Sequence, residues 1–153
     1  MDQVRETQQV LISIIFSKMP TKIISDFRLK SRDIDSSVIT SHINLQPTTV
    51  WKMGDCIGQS ILKRKENAWI LSTNKQECID LEIQLDFLLK TITPNIQRII
   101  SACEKYNLTA EFFSAAYIEE IMPSLYVSKE IIKKISGLNA SLDVDLYFLG
   151  ECH

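Results

Sequence analysis

The sequence predicts an α+β domain in which a mainly antiparallel or mixed sheet carries helices packed on one face, and three observations predict it. Leu142, Val144, Leu146 and Phe148 alternate with Asp143, Asp145 and Tyr147, the period of a strand with one apolar face. Leu81, Leu85, Leu88, Leu89, Ile92, Ile96, Ile99, Ile100 and Cys103 recur at spacings of three and four, one stripe of a helix facing a core. Thr48 to Met53 and Ala68 to Ser72 are β-branched and aromatic and flank turn-forming residues, as the arms of a hairpin do. Helices and strands of this kind bury their apolar sides against each other.

The elements follow in order. Val10 to Phe16 and Ile23 to Leu29 are rich in β-branched residues on either side of Met19-Pro20-Thr21, which predicts two strands, or one interrupted strand, with a turn at the proline. Asp33 or Asp35 is placed to cap a short helix through about Ile43, because a carboxylate accepts from the free N–H groups of a first turn. Val38, Ile39 and Ile43 then share its buried face, and Pro47 stops it. Gly54-Asp55, Gly58 and the charged Lys63-Arg64-Lys65-Glu66-Asn67 form a long, solvated hairpin loop. In the helical stripe, Pro94 with Thr93 as N-cap predicts a kink or a break into two helices. Leu108 to Ile118 is a strand, and Ser124 to Val127 a short extended piece after Pro123. Ser128 caps a helix over Lys129 to Ser136, and Gly137 stands where a left-handed terminator is wanted.

With 153 residues the chain has the size of a single domain, 1–153, able to bury one core without staples. Hydrophobic residues at 45% and charged ones at 24% are ordinary for a globular protein, and no run is apolar enough to cross a bilayer, so no membrane partner is expected. A net charge of −2 argues against a nucleic-acid binder, which needs clustered Lys and Arg to neutralise phosphates. Met1 to Gln9 is polar and mixed in charge, unlike a secretory leader, so the expected location is cytoplasmic. Cys56, Cys78, Cys103 and Cys152 are scattered without a CxxC pair and are expected as free thiols there. Asn107-Leu108-Thr109 and Asn139-Ala140-Ser141 match a glycosylation pattern that has no meaning without secretion.

Asp33-Ile34-Asp35, Ile39 and Pro47-Thr48-Thr49-Val50-Trp51-Lys52-Met53-Gly54-Asp55 come first in a series of short motifs. Asn67-Ala68-Trp69-Ile70-Leu71-Ser72, the Leu85/Leu88/Leu89/Pro94 stretch, Val127-Ser128-Lys129-Glu130, Gly137 and Leu142-Asp143-Val144-Asp145-Leu146-Tyr147 follow in order. Together they resemble the bacterial domain-of-unknown-function family 4279 over about residues 27–147. The N-terminal extension and the unusually apolar first strand pair depart from that family's pattern. Some members look like immunity proteins encoded beside polymorphic or contact-dependent toxins. The resemblance therefore implies a small bacterial protein that neutralises a cognate toxin domain by stoichiometric binding.

The residues themselves offer no catalytic constellation. Cys-His catalysis needs a thiol beside a base and an orienting third group, and nothing in the sequence sets a cysteine beside His42. Cys152-His153 provides two ligands at a chain end, short of the three or four that a metal site requires. Gly54 and Gly58 form no phosphate cradle, so neither a nucleotide cofactor nor a metal is expected. Asp143, Asp145 and Tyr147 on one strand face make an acidic, aromatic-tipped stripe suited to Lys and Arg of a protein partner. The plainer reading of those acids is a solvated outer face. Trp51 and Trp69 are expected to pack against the sheet. The alternative function is a small ligand-binding domain or enzyme with a pocket at His42, Trp51 and Asp55, and the third a homo-oligomer joined through an exposed strand edge.

Overall fold

Strand β1 (Lys22–Ser31) organises the molecule, and its ten residues alternate between buried and half-buried along their whole length. Successive side chains of a strand project to opposite faces, so Ile23, Phe27 and Leu29 enter the core while Lys22, Ile24, Asp26, Arg28 and Lys30 line the other side. The computed structural model describes residues 20–73 and 78–150. The strand expected over Val10 to Phe16 lies outside them.

β1 is flanked antiparallel by β3 (Asn67–Ser72), with Leu29 opposite Trp69, and by β4 (Thr109–Ile118), with Phe27 opposite Phe112. β2 (Thr49–Trp51) pairs antiparallel with β3, forming the predicted hairpin. β5 (Ser141–Phe148) runs parallel to β4. The sheet order is therefore β2-β3-β1-β4-β5, the mixed sheet of an α+β fold. A parallel neighbour requires a crossover, and the segment carrying helix Lys129–Gly137 supplies it between β4 and β5.

Helices cover the face that Phe27 and Phe112 share. α1 (Ser36–Ile43) begins at Asp35, not Asp33: the Asp35 carboxylate accepts from the Ser37 N–H at 2.9 Å and the Ser37 hydroxyl at 2.8 Å. Its burial corrects one expectation, because Ile39 and Ile43 are buried while Val38, one residue and about 100° round the helix, is exposed. The terminator is also different. Asn44 takes the left-handed conformation at φ 55° and ends α1 before Pro47 is reached.

The long stripe forms α2 (Leu81–Ile92) and α3 (Ile96–Tyr106), separated by a 3-10 turn over Thr93–Asn95. The break expected at Pro94 is present, but Thr93 is no N-cap: its backbone is helical and its hydroxyl donates back to the Leu89 carbonyl at 2.6 Å. Asn95 precedes α3 without a side-chain capping bond, and Asp80 caps α2, accepting from the Ile83 N–H at 3.2 Å. Ser124 makes an isolated bridge to Asp80 in place of an extended strand. Ser128 caps α4 (Lys129–Gly137) as expected, but Gly137 belongs to the helix, and the left-handed residue is Asn139 at φ 51°. Asn tolerates that conformation better than most side chains.

At the core centre the Phe27 ring meets Trp69 edge-on at 6.5 Å and Phe112 at 5.0 Å. The Trp69 indole N–H donates to Thr40 Oγ1 of α1 at 3.1 Å. Two buried serines are paired with each other, Ser25 Oγ to Ser114 Oγ at 2.7 Å, and Thr73 Oγ1 accepts the Ser25 N–H at 2.9 Å. These bonds offset the desolvation that burying hydroxyls and backbone groups entails. No helix among the described residues is long and apolar enough to cross a membrane.

The N-cap of α1 makes a testable contribution. The Ser37 backbone N–H, then its hydroxyl, then Lys52 hold the Asp35 carboxyl at about 2, below the ordinary 3.8. A folded-state value below the unfolded one stabilises the fold fully above 3.8, and this contribution is lost as pH falls through about 2. Asp35→Ala is therefore expected to melt at a lower temperature than wild type near neutrality. The gap should close across that acid window when melting is followed by circular dichroism.

Candidate functional site

The opposite face of the sheet carries none of the four α-helices among the described residues, and its side chains follow from strand register. On β5 it receives Asp143, Asp145 and Tyr147, which lie beside Phe113, Ala115 and Tyr117 of β4. The Tyr117 and Tyr147 rings stack at 5.3 Å with planes only 17° apart. Tyr147 donates its hydroxyl to Asp145 Oδ2 at 3.1 Å. The structure thus brings the three residues of the predicted acidic stripe together on one exposed strand face. Among the described residues neither Asp143 nor Asp145 forms an ion pair.

The hydrogen bond to Asp145, and next the repulsion from that carboxylate, push the Tyr147 phenol above its ordinary value of 10.0. Replacing Asp145 by Asn removes the charge and is expected to bring the phenol back down. Spectrophotometric titration against Tyr147→Phe, which isolates this phenol from the other tyrosines, reads the change directly.

Towards the sheet's other edge the same face becomes cationic and aromatic. The Arg28 guanidinium of β1 sits 3.8 Å from the Phe113 ring centre and 5.2 Å from that of Trp51, while Arg64 lies 3.6 Å from Trp51. Arg28 also contacts Asp26 at 2.8 Å and Glu111 at 3.6 Å, and Lys30 reaches Glu111 at 3.1 Å. These centrally placed charges are satisfied by one another. On the same face, Asp143 and Asp145 at the β5 edge have no ion-pair partner among the described residues.

The loop between β2 and β3 is exposed at nearly every residue, the solvated loop that the sequence predicts, but it is folded rather than irregular. Gly54 and Gly58 adopt φ 92° and 58°, which lets the chain fold into a second hairpin closed by a Cys56–Lys63 bridge and an Ile57 N–H to Leu62 carbonyl bond of 2.9 Å. Its charged Arg64 turns in over Trp51, while Met53, Leu62 and the 93% exposed Ile61 face outward.

The alternative pocket residues are not brought together. Trp51 lies on the open face beneath Arg64. His42 is on α1, with its ring edge-on to Tyr106 at 5.4 Å and Nε2 3.2 Å from Ser101 Oγ, between helices that cover the other face. Asp55 closes its own turn by accepting the Lys52 N–H at 2.7 Å. Cys56, Cys78 and Cys103 are free thiols, and burial followed by the charge of Glu104 pushes the Cys103 thiol up. Among the described residues no three His, Cys, Asp or Glu side chains converge as a metal ion would require, and Cys152 and His153 lie outside those residues.

Arg28, Phe113, Tyr117 and Arg64 are members of this face that sequence reasoning passed over. The signal was present in part. Lys22, Asp26, Arg28 and Lys30 alternate with the core residues of β1, marking a polar side to the most central strand. The stacking of Arg64 on Trp51 joins a loop to a strand and has no local signature.

A family model described as a domain of unknown function (DUF4279) matches residues 21–149. No curated protein and no solved structure matches the chain.

Proposed function

The chain belongs to the DUF4279 family, and from that premise we propose that it is a non-enzymatic protein-binding module, an immunity protein that neutralises a cognate bacterial toxin domain by occupying it one-to-one. The observation that carries this reading is the β5 face: two carboxylates without cation partners among the described residues, beside a stacked tyrosine pair, on a strand that the described helices leave exposed. Carboxylates hydrated in the free protein gain most when a docking Lys or Arg pairs with them and the surrounding water is displaced. Tyr147, already ordered by Tyr117 and Asp145, gives up little rotamer freedom on binding. An interface of ordinary size, on the order of 1,200–2,000 Å² in total, reaches from β5 across the Phe113 and Arg28 region.

A large exported protein with a variable C-terminal domain, encoded immediately upstream, would favour this reading, and its C-terminal domain would be the partner to test first. Co-expression should rescue growth from that domain's toxicity, and titration calorimetry should give a one-to-one complex. A toxic domain that neither binds the chain nor is relieved by it would refute the immunity assignment.

A further inference from the structure

We infer that the edge of β5 that no described strand covers receives an extended segment of the partner protein as an added strand, with Lys or Arg on the acidic side and apolar residues on the other. This rests on reading the acidic face as partner-binding. Among the described residues β5 is the terminal strand of the sheet and pairs with β4 alone. Just beyond it the Leu149 N–H reaches the Ile118 carbonyl at 2.8 Å. Backbone groups alternate in direction along a strand, so those of Leu142, Val144, Leu146 and Phe148 point to the free edge, where an added strand would satisfy them.

The two faces of β5 specify what the added strand must carry. Asp143 and Asp145 project to the open face. Leu142, Leu146 and Phe148 project to the helix side, yet α4 does not cover them, and they remain 36%, 45% and 67% exposed. A groove of about 430 Å³ lined by Ile132, Ile135 and Leu142 runs between α4 and the start of β5. An occupant with alternating cationic and apolar side chains fits both faces at once.

Charge distinguishes this occupant from the other two available. A second copy pairing edge to edge about a two-fold axis would set Asp143 and Asp145 against the same carboxylates, and like charges across strands repel. The chain's own apolar stretch, Val10 to Phe16, contains no cation to complement them.

The test uses the full chain and a synthetic peptide of eight residues, the length of β5, alternating lysine with valine. Its comparators are a glutamate–valine peptide and a lysine–valine peptide N-methylated at the positions whose N–H groups would face β5. The lysine peptide should bind about tenfold or more tightly than either comparator by fluorescence anisotropy. It should slow hydrogen exchange at Leu142, Val144, Leu146 and Phe148, and Asp143→Lys with Asp145→Lys should reverse the preference towards the glutamate peptide. Equal binding of the N-methylated peptide would overturn strand addition and leave the acidic face as a binding surface, since the cations would then dock without the backbone. Absence of binding by every peptide would also overturn it. So would edge amides already protected in the free chain: protection independent of protein concentration assigns the edge to Val10–Phe16, and protection that grows with concentration assigns it to a second copy.

Discussion

Trp69→Ala is expected to lower the unfolding free energy by about 3–5 kcal/mol, the range for truncating a large buried aromatic. The side chain is wholly buried, it meets Phe27 edge-on, and its N–H holds Thr40 on α1. Removing it takes away a large part of the layer between sheet and helices and leaves the Thr40 hydroxyl without that donor. A melting temperature lower by about 10 °C should accompany the change in a chain of this length. Trp51→Ala, on the half-buried open face, should cost less than half as much in the same urea titration. Equal losses for the two would mean that the Phe27, Trp69 and Phe112 cluster is not the centre of the core.

Asp143→Lys combined with Asp145→Lys is expected to weaken binding of a toxin partner by about 100-fold, or close to 3 kcal/mol, while leaving the fold intact. The substitutions replace attraction with repulsion at both positions, so the effect exceeds that of simple truncation. Both side chains project from an edge strand and make no ion pair with the described residues, so the melting temperature should move by only a degree or two. Adding salt should weaken wild-type binding and spare the variant, because exposed charge pairs are screened within about 8 Å at physiological ionic strength. Unchanged affinity would place the contact surface elsewhere.

Much of this was legible in the residues because strands and helices carry different periods. The alternation in Ser141–Phe148 identified both the last strand and the face bearing Asp143, Asp145 and Tyr147. The spacing from Leu81 to Cys103 identified the buried stripe, and Pro94 the interruption. What the residues did not reveal was set by tertiary pairing. An alternating strand looks the same in the middle of a sheet and at its edge, so nothing local says that Leu146 and Phe148 remain exposed. Nor does it say that β5 joins β4 in parallel, which depends on the crossover carrying α4. The family resemblance noted from the motifs is matched by the family model over residues 21–149. The His42, Trp51 and Asp55 grouping failed to assemble for a related reason. Nearness in sequence put Trp51 and Asp55 in one motif, but the pleat directs Trp51 away from the helices that hold His42.

The most direct test of the open sheet face as a protein-binding surface is a nuclear magnetic resonance footprint of the isotope-labelled chain titrated with a protein partner captured by the tagged chain. Perturbations should centre on Asp143, Asp145 and Tyr147, extend to Tyr117 and Phe113 on β4, and leave α1 and α3 unchanged. A footprint centred on α1 and α3, around His42 and Tyr106, would contradict the account.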